Sequence, residues 1–551
     1  MKRYLRNIFL LFIILSGLDV KGQTDMEFWF VAPNITSGHW WWHGGNPSEP
    51  GAVPIYLTLT AMELPAQVTI TQPANQYDAV TNPDGFQAIT VNLNANESKT
   101  ITLVKNNMDH ADSVMLRNLE NYPPMTINNK GLYIESTNLI TSYYEVAEYF
   151  NTDIYALKGR NALGTDFYAS FQTAQNLGNY TPTPYSAIDI VATEDNTTVH
   201  VFPTNPVMGM GSAPFDITLN KGETYSVIPE NKRDVDKNLR GTRITTDGKK
   251  IAVTITEDSK IEEGCKDMIG DQTIPLEAMN SKGVMAPIVG KEYIVMKGSL
   301  KDAGSAYDQI YILGTENNTS LQIIDVINGD TVTTTIHQQE TEPYIINETN
   351  NGEVITYVKA DKPVYVWHIT GGGDGCEEGA AVLPAIDKCT GSSKVGFARY
   401  TSHSKFILNI MVRNGAEGDF ELNGDPTLIQ AGDFEDIPGT PWAAASLHME
   451  GDIPVGSSNM LINTKDIFHL GIMNGDERTG GCYGYFSDFN EVVAEGIVAG
   501  TGQTGIKSCY KEPVQLIATG GTNYEWKPVT YLNDPYISTP ISTPKKSINY
   551  T

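Results

Sequence analysis

Two stretches of this chain, Ala192-Thr-Glu-Asp-Asn-Thr-Thr-Val-His-Val201 and Gly314-Thr-Glu-Asn-Asn-Thr-Ser-Leu-Gln-Ile323, match closely, identical at four of ten positions and similar at most of the others. Each belongs to a longer pattern that recurs four times. A duplicated unit of alternating apolar residues cannot bury its face alone and must stack on its neighbours, so this recurrence constrains the fold more than any isolated motif.

Every unit opens on a leading strand in which an acid or glycine precedes apolar, mostly aromatic residues: Glu27-Phe-Trp-Phe30, Asp166-Phe-Tyr168, Glu292-Tyr-Ile294 and Gly396-Phe397. Three hairpins are expected after each leading strand. The first turns at Asp195-Asn196 or Asn317-Asn318, residues that tolerate the left-handed backbone of tight turns. The second turns inside Val91–Ser98 and Ile217–Thr224, and the third unit keeps only Glu340-Thr341 of it. The third hairpin is read in Gly131–Ile140, in Gly241–Val253, in Val358–Val366 and in Met460–Leu470.

Strict alternation, as at Ile251, Val253 and Ile255, predicts strands with one buried face. The fold class is therefore all-β, four tandem antiparallel β repeats of sandwich type. A β-propeller-like ring is the alternative; seven strands per unit divide poorly into four-stranded blades.

The first residues read as a signal peptide over 1–22, with Lys2, Arg3 and Arg6 before the apolar run Ile8–Leu15. That run is shorter than the roughly 20 residues a membrane span needs. No later segment is apolar enough to span, so the chain is expected to be exported, to the extracellular space or the outer-membrane surface. Repeats follow over 23–160, 161–285, 286–390 and 391–490, then a Gly-rich linker over 491–508. Residues 509–551 read as an Ig-like or PKD-like module cut short, with Trp526 in its core; a complete sandwich of that kind takes about 100 residues.

A formal charge of -27 opposes binding to nucleic acid, which rests on Lys and Arg neutralising phosphates. Five cysteines in an exported chain suggest disulfides. Cys265, Cys376 and Cys482 each follow a glycine after the last expected strand of a repeat, and Cys389 is an addition that could pair with Cys376. Several pairings among these four are open.

Two local departures from the repeat are candidate sites. His39-Trp40-Trp41-Trp42-His43 lies in a Gly- and Pro-rich segment, where exposed indoles could stack on sugar rings or anchor a protein partner; as core, the same rings would cap the first repeat. Metal binding by His39 and His43 is disfavoured, since their spacing aligns them only on a helix. Asp258, Glu262, Glu263, Asp267 and Asp271 crowd the connection around Cys265, where carboxylates on a loop could hold calcium, though without EF-hand spacing. The sequence implies no other cofactor. It contains no Gly-x-Ser-x-Gly elbow, His-Glu-x-x-His pair or Walker loop.

Thr24-Asp-Met-Glu-Phe-Trp-Phe30, Asn161-Ala-Leu-Gly-Thr-Asp-Phe167, Ala192–Thr198, Gly270-Asp-Gln272 and Cys389-Thr-Gly-Ser-Ser393 occur here in one order. In these the chain resembles exported Bacteroidetes proteins that carry an IgGFc-binding-protein N-terminal domain, over roughly residues 24–490. The resemblance implies immunoglobulin- or PKD-like repeats further on and a type IX sorting domain, and it carries over no catalytic residues. The expected function is non-enzymatic adhesion at the cell surface, toward extracellular glycans or glycoproteins. A polysaccharide-active enzyme or its carbohydrate-binding accessory is one rival, and a structural spacer for a missing C-terminal domain is another.

Overall fold

The structure is a computed structural model that describes residues 23–36, 54–105, 110–148, 151–173, 176–179, 181–262, 265–279, 285–298, 307–346, 355–372, 378–387, 390–399, 401–475, 481–489, 493–498, 506–509, 512–516, 524–546 and 548–550. Two compact units divide the described residues, one up to residue 492 and one from residue 493 on.

The second repeat shows how these residues make strands. Its leading strand Asp166–Tyr168 joins Arg243–Thr246, Thr197–Phe202 and Phe215–Leu219 in one sheet. Thr224–Val227, Ser186–Ala192, Ile251–Glu262 and Cys265–Gln272 form the other. Val199, Val201 and Ile244 from the first sheet and Ile188, Ile190, Val253 and Ile255 from the second share one core. Counted along the chain, the two sheets order their strands 1-6-3-4 and 5-2-7-8.

The third repeat has the same order in both sheets, from Glu292–Met296 to Gly379–Val382. The fourth keeps 1-6-3 and 5-2-7-8, while its short Glu435–Asp436 strand pairs with Trp442–His448 in the second sheet. The second, third and fourth repeats are thus sandwiches, as expected, but of eight strands and not seven, whereas the first has seven strands joined in one continuous sheet.

Three features depart from the sequence reading. In the second and third repeats strands 2 and 3, 4 and 5, and 6 and 7 lie in opposite sheets, so the expected hairpins are arches between sheets there. Their turns are still the ones the Asn residues dictate: Asn196 and Asn318 both have φ +55°. In the first repeat, Gly131–Ile140 contains no turn, because Leu132–Glu148 is one strand. Its first half pairs with Asp25–Phe30 and Ala66–Thr71, and its second half with Ile55–Ala61 and Asn151–Leu157. The Ser136 hydroxyl donates to the Asn138 carbonyl at 2.6 Å where the strand passes from one set of partners to the other, so the chain bends there instead of reversing.

The third departure is the eighth strand, which Cys265 opens in the second repeat and Gly481-Cys482 in the fourth instead of closing the repeat. These strands are β1 (Asn151–Leu157), β2 (Cys265–Gln272), β3 (Gly379–Val382) and β4 (Gly481–Tyr485). Strands β1 and β3 each lie against both β2 and β4. The eighth strands of the four repeats therefore pack against one another at the centre, and the second to fourth repeats are two-sheet sandwiches and not single-sheet blades.

Glycines permit the close approach of the central strands. A Cβ on Gly270 would stand 2.5 Å from the Tyr155 hydroxyl, and one on Gly379 would stand 2.9 Å from both the Gly481 carbonyl and Tyr483 Cβ. Outside the centre, the turn between strands 4 and 5 of one repeat docks on the start of strand 6 of another. Gly131 N–H donates to the Gly222 carbonyl, Gln339 Nε2 to the Gly241 carbonyl, and Ser98 N–H to Ser458 Oγ. The third and fourth repeats instead share core residues, including Met296, Met411, Trp442 and Met473.

In the unit 493–551, Val493–Val498 and Ile506–Cys509 pair antiparallel inside the stretch read as a linker. Trp526, Leu516 and Tyr550 form its small core, and Val514–Gln515 pairs with Ile541–Ser542.

Candidate functional site

His39, Trp40, Trp41, Trp42 and His43 lie outside the described residues. The framework before and after them is described. Thr36 donates from both N–H and hydroxyl to Asp258 Oδ2, at 3.0 and 2.6 Å. Glu120 accepts from Ile35 N–H at 3.1 Å and from Asn34 Nδ2 at 3.0 Å, and the Tyr185 hydroxyl donates to Asn34 Oδ1. On the other side, Ala147 N–H donates to the Pro54 carbonyl at 2.9 Å.

Three of the acidic set lie on strands and not on a loop. Asp258 belongs to the strand Ile251–Glu262, and Asp267 and Asp271 belong to β2, the two strands forming a hairpin in which Glu262 pairs with Cys265. Asp258 is engaged by Thr36, and Asp271 Oδ1 accepts from Lys158 Nζ at 2.6 Å. Glu263 and the side chains of Glu262 and Cys265 lie outside the described residues. Among the described residues no group of three or more His, Cys, Asp or Glu is placed to hold a metal ion. Alternation of these acids with apolar Ile261 and Met268 was the available sign that they sit on strands.

Cys376 and Cys389 also lie outside the described residues. Cys482 is a free thiol buried on β4. Strand β4 turns this side chain into the core of the fourth repeat, beside Tyr143 and Ile154 of the first.

The centre where β1 to β4 pack is rich in buried charge that the sequence reading did not find. The Asp153 carboxylate on β1 accepts from Gly270 N–H of β2 at 2.8 Å and from the Tyr483 N–H of β4. Burial raises its carboxyl well above the ordinary range. Asp271 accepts from Val382 N–H of β3 at 3.2 Å as well as from Lys158. Burial pushes Lys158 down and Asp271 up, while each partner's charge and the N–H donors favour the ionised pair. His368 lies between Asp308 Oδ2, 2.8 Å from its Nε2, and the Tyr483 hydroxyl, 3.0 Å from its Nδ1. An acid-histidine-hydroxyl series can activate a nucleophile only where substrate reaches the hydroxyl. Tyr483 is fully buried, and the series acts as a joint between repeats three and four.

One crevice opens at the seam between the first and fourth repeats. It is lined by Tyr143, Glu145 and Ile154 of the first and by Thr401, Phe406, Asn474, Cys482 and others of the fourth, and its volume is about 20 Å³. Burial pushes the Glu145 carboxyl up to about 7, against a hydrogen bond from Thr401. An acid inside the apolar run Tyr143-Tyr144-Glu145-Val146 was the sign in the sequence.

The family described as IgGFc binding protein matches residues 155–465, more than half of the chain. The chain belongs to that family. The match begins near the end of β1 and stops within the arch between strands 6 and 7 of the fourth repeat. No curated protein matches the chain. Among solved structures, the crystal structure of the tetra-tandem repeat in the extending region of a large adhesion protein covers 77% of this chain and 91% of that chain at 10% identity. Its TM-score of 0.08 is too low to support any argument. No helix of the described residues is long and apolar enough to cross a membrane.

Proposed function

We propose that this IgGFc-binding family member is an exported, non-enzymatic surface protein that presents the stretch containing Trp40, Trp41 and Trp42 to extracellular glycans or glycoproteins. The observation that carries the reading is the anchoring on either side of that stretch. Thr36 and Ile35 are held by the buried acids Asp258 and Glu120, and Pro54 by Ala147. Recognition residues carried between fixed points on a rigid scaffold lose less entropy on binding, and indoles offer large contact area for few rotatable bonds. An Fc-bearing immunoglobulin is the partner that the family's description suggests.

The test uses residues 23–551 on a glycan array and on immobilised IgG Fc, with a triple variant Trp40→Ala, Trp41→Ala, Trp42→Ala. Binding by the parent protein that drops at least tenfold in the variant, at unchanged Tm, is the expected result. Absence of binding to either panel, or equal binding by the variant, ends this reading.

A further inference from the structure

The outer edge of strand 5 is covered in three of the four repeats. In the first, the helix His110–Leu119 lies beside Ser98–Val104, and Asp112 Oδ2 accepts from Lys105 N–H at 2.8 Å. In the second, Ile127 and Asn128 pair with Tyr225 and Thr224. In the fourth, Glu435 and Asp436 pair with Ala444 and Ala443. Strand 5 of the third repeat is Thr341–Ile346, and among the described residues it pairs only with Tyr307–Gly314.

The second repeat shows what such an edge takes. Register makes the two strands equivalent: Thr224 and Thr341 stand opposite Val191 and Leu313, and Ser226 and Pro343 stand opposite Asp189 and Tyr311. In the second repeat the Thr224 hydroxyl donates to Asn121 Oδ1 at 2.8 Å, the Ser226 carbonyl accepts from Met125 N–H at 2.9 Å, and Met125 packs on the buried Ile228. All three features recur in the third repeat. The Thr341 hydroxyl is buried without a hydrogen-bond partner, which is costly unless an acceptor arrives from outside. Ile345, the counterpart of Ile228, is 56% exposed. Pro343 has no N–H to offer, which guards the edge against indiscriminate strand pairing, but it keeps the carbonyl that Ser226 uses.

We propose that the edge Thr341–Ile346 docks an extended segment of a partner protein with the chemistry of Asn121–Gly131: an amide oxygen for the Thr341 hydroxyl, a main-chain N–H for the Pro343 carbonyl and an apolar side chain over Ile345. The partner is a polypeptide because the edge asks for a main-chain donor and an apolar side chain at fixed spacing, which a glycan does not carry.

The chain's own covering segment is the probe: a fluorescein-labelled peptide of residues 121–131, titrated into residues 23–551 and followed by fluorescence anisotropy. Saturable binding is expected, weakened at least tenfold by Ile345→Asp and about three- to tenfold by Thr341→Val. Neither substitution should lower Tm, since Ile345 is exposed and the Thr341 hydroxyl makes no bond to lose. Hydrogen exchange gives a second readout, in which the peptide slows the amides of Thr341–Ile346. No saturable binding, or equal binding by I345D, as when the peptide exchanges with its own copy at the second repeat, would overturn the proposal. A dimer in sedimentation that I345D dissociates would also overturn it, assigning the edge to a second copy of this chain.

Discussion

Lys260 donates to both carboxylate oxygens of Glu378, at 2.5 and 2.6 Å, with neither side chain exposed to solvent. The pair ties strand 7 of the second repeat to the residue preceding β3 of the third. A buried pair is costly to assemble and more costly to break, because removing one partner strands the other charge. Glu378→Gln is therefore expected to destabilise the fold by about 3–5 kcal/mol in urea unfolding. The double variant Lys260→Met with Glu378→Leu should recover much of that loss. A double variant no more stable than the single one would show that the pair is not the source of the cost.

The central glycines make a second prediction. Gly270→Ala drives a methyl to 2.5 Å from the Tyr155 hydroxyl, between β1 and β2, and should cost about 1–3 kcal/mol as overpacking. Gly451, which has nothing within 4 Å and no positive φ, is the matched control, and G451A should be neutral within about 0.5 kcal/mol. Equal unfolding free energies for the two variants would contradict the close packing of the central strands.

Cys482 supplies a chemical prediction. Its thiol is buried, and burial raises its pKa well above the ordinary value. The reactive thiolate is thus scarce and shielded. Native protein treated with iodoacetamide should leave the Cys482 peptide unlabelled, whereas denaturation without reductant should expose it to full labelling. A non-reduced digest that contains Cys482 in a disulfide-linked peptide would refute the free-thiol assignment.

The parts of the fold that could be read from the sequence are those set by local chemistry. The aromatics of the leading strands, such as Phe28 and Phe167, are buried, and Asp166 meets Arg243 through two hydrogen bonds of 2.9 and 2.6 Å. The Asn196 and Asn318 turns are where their residues require them. Local chemistry does not say whether a turn joins neighbouring strands or opposite sheets, because apolar alternation is identical in both, and so arches were read as hairpins. The joints were invisible for a different reason. Lys158 and Asp271 are 113 residues apart, and Lys260 and Glu378 are 118 apart, so each acid looks like a solvated residue until its partner is brought to it. Asp258, Asp267 and Asp271 were read on a loop and lie on strands for the same reason. Glu145 shares this origin, since its surroundings exist only once the fourth repeat has closed on the first.

Buried carboxyls also predict how stability depends on pH. Burial pushes Glu120 up to about 8, and Asp189 and Glu145 up to about 7. In the unfolded chain these groups titrate near 4, so between pH 4 and 8 the folded state holds more protons than the unfolded one. Their contribution is full below about pH 4 and is lost as pH rises through 7 and 8. His469 works in the opposite direction: burial, reinforced by Arg413, depresses it to about 3, so its contribution is present above about 6.5 and fades as pH falls toward 3. Between pH 6.5 and 8.5 the carboxyls dominate, and the unfolding free energy should fall with pH by an amount on the order of several kcal/mol. Glu120→Gln should flatten this slope, since the amide keeps an acceptor for Ile35 N–H and has no proton to lose. Urea titrations at pH 6.5, 7.5 and 8.5 on both proteins decide the matter: an unfolding free energy that rises over this range, or a variant as pH-sensitive as the parent, is incompatible with proton-holding acids at these joints.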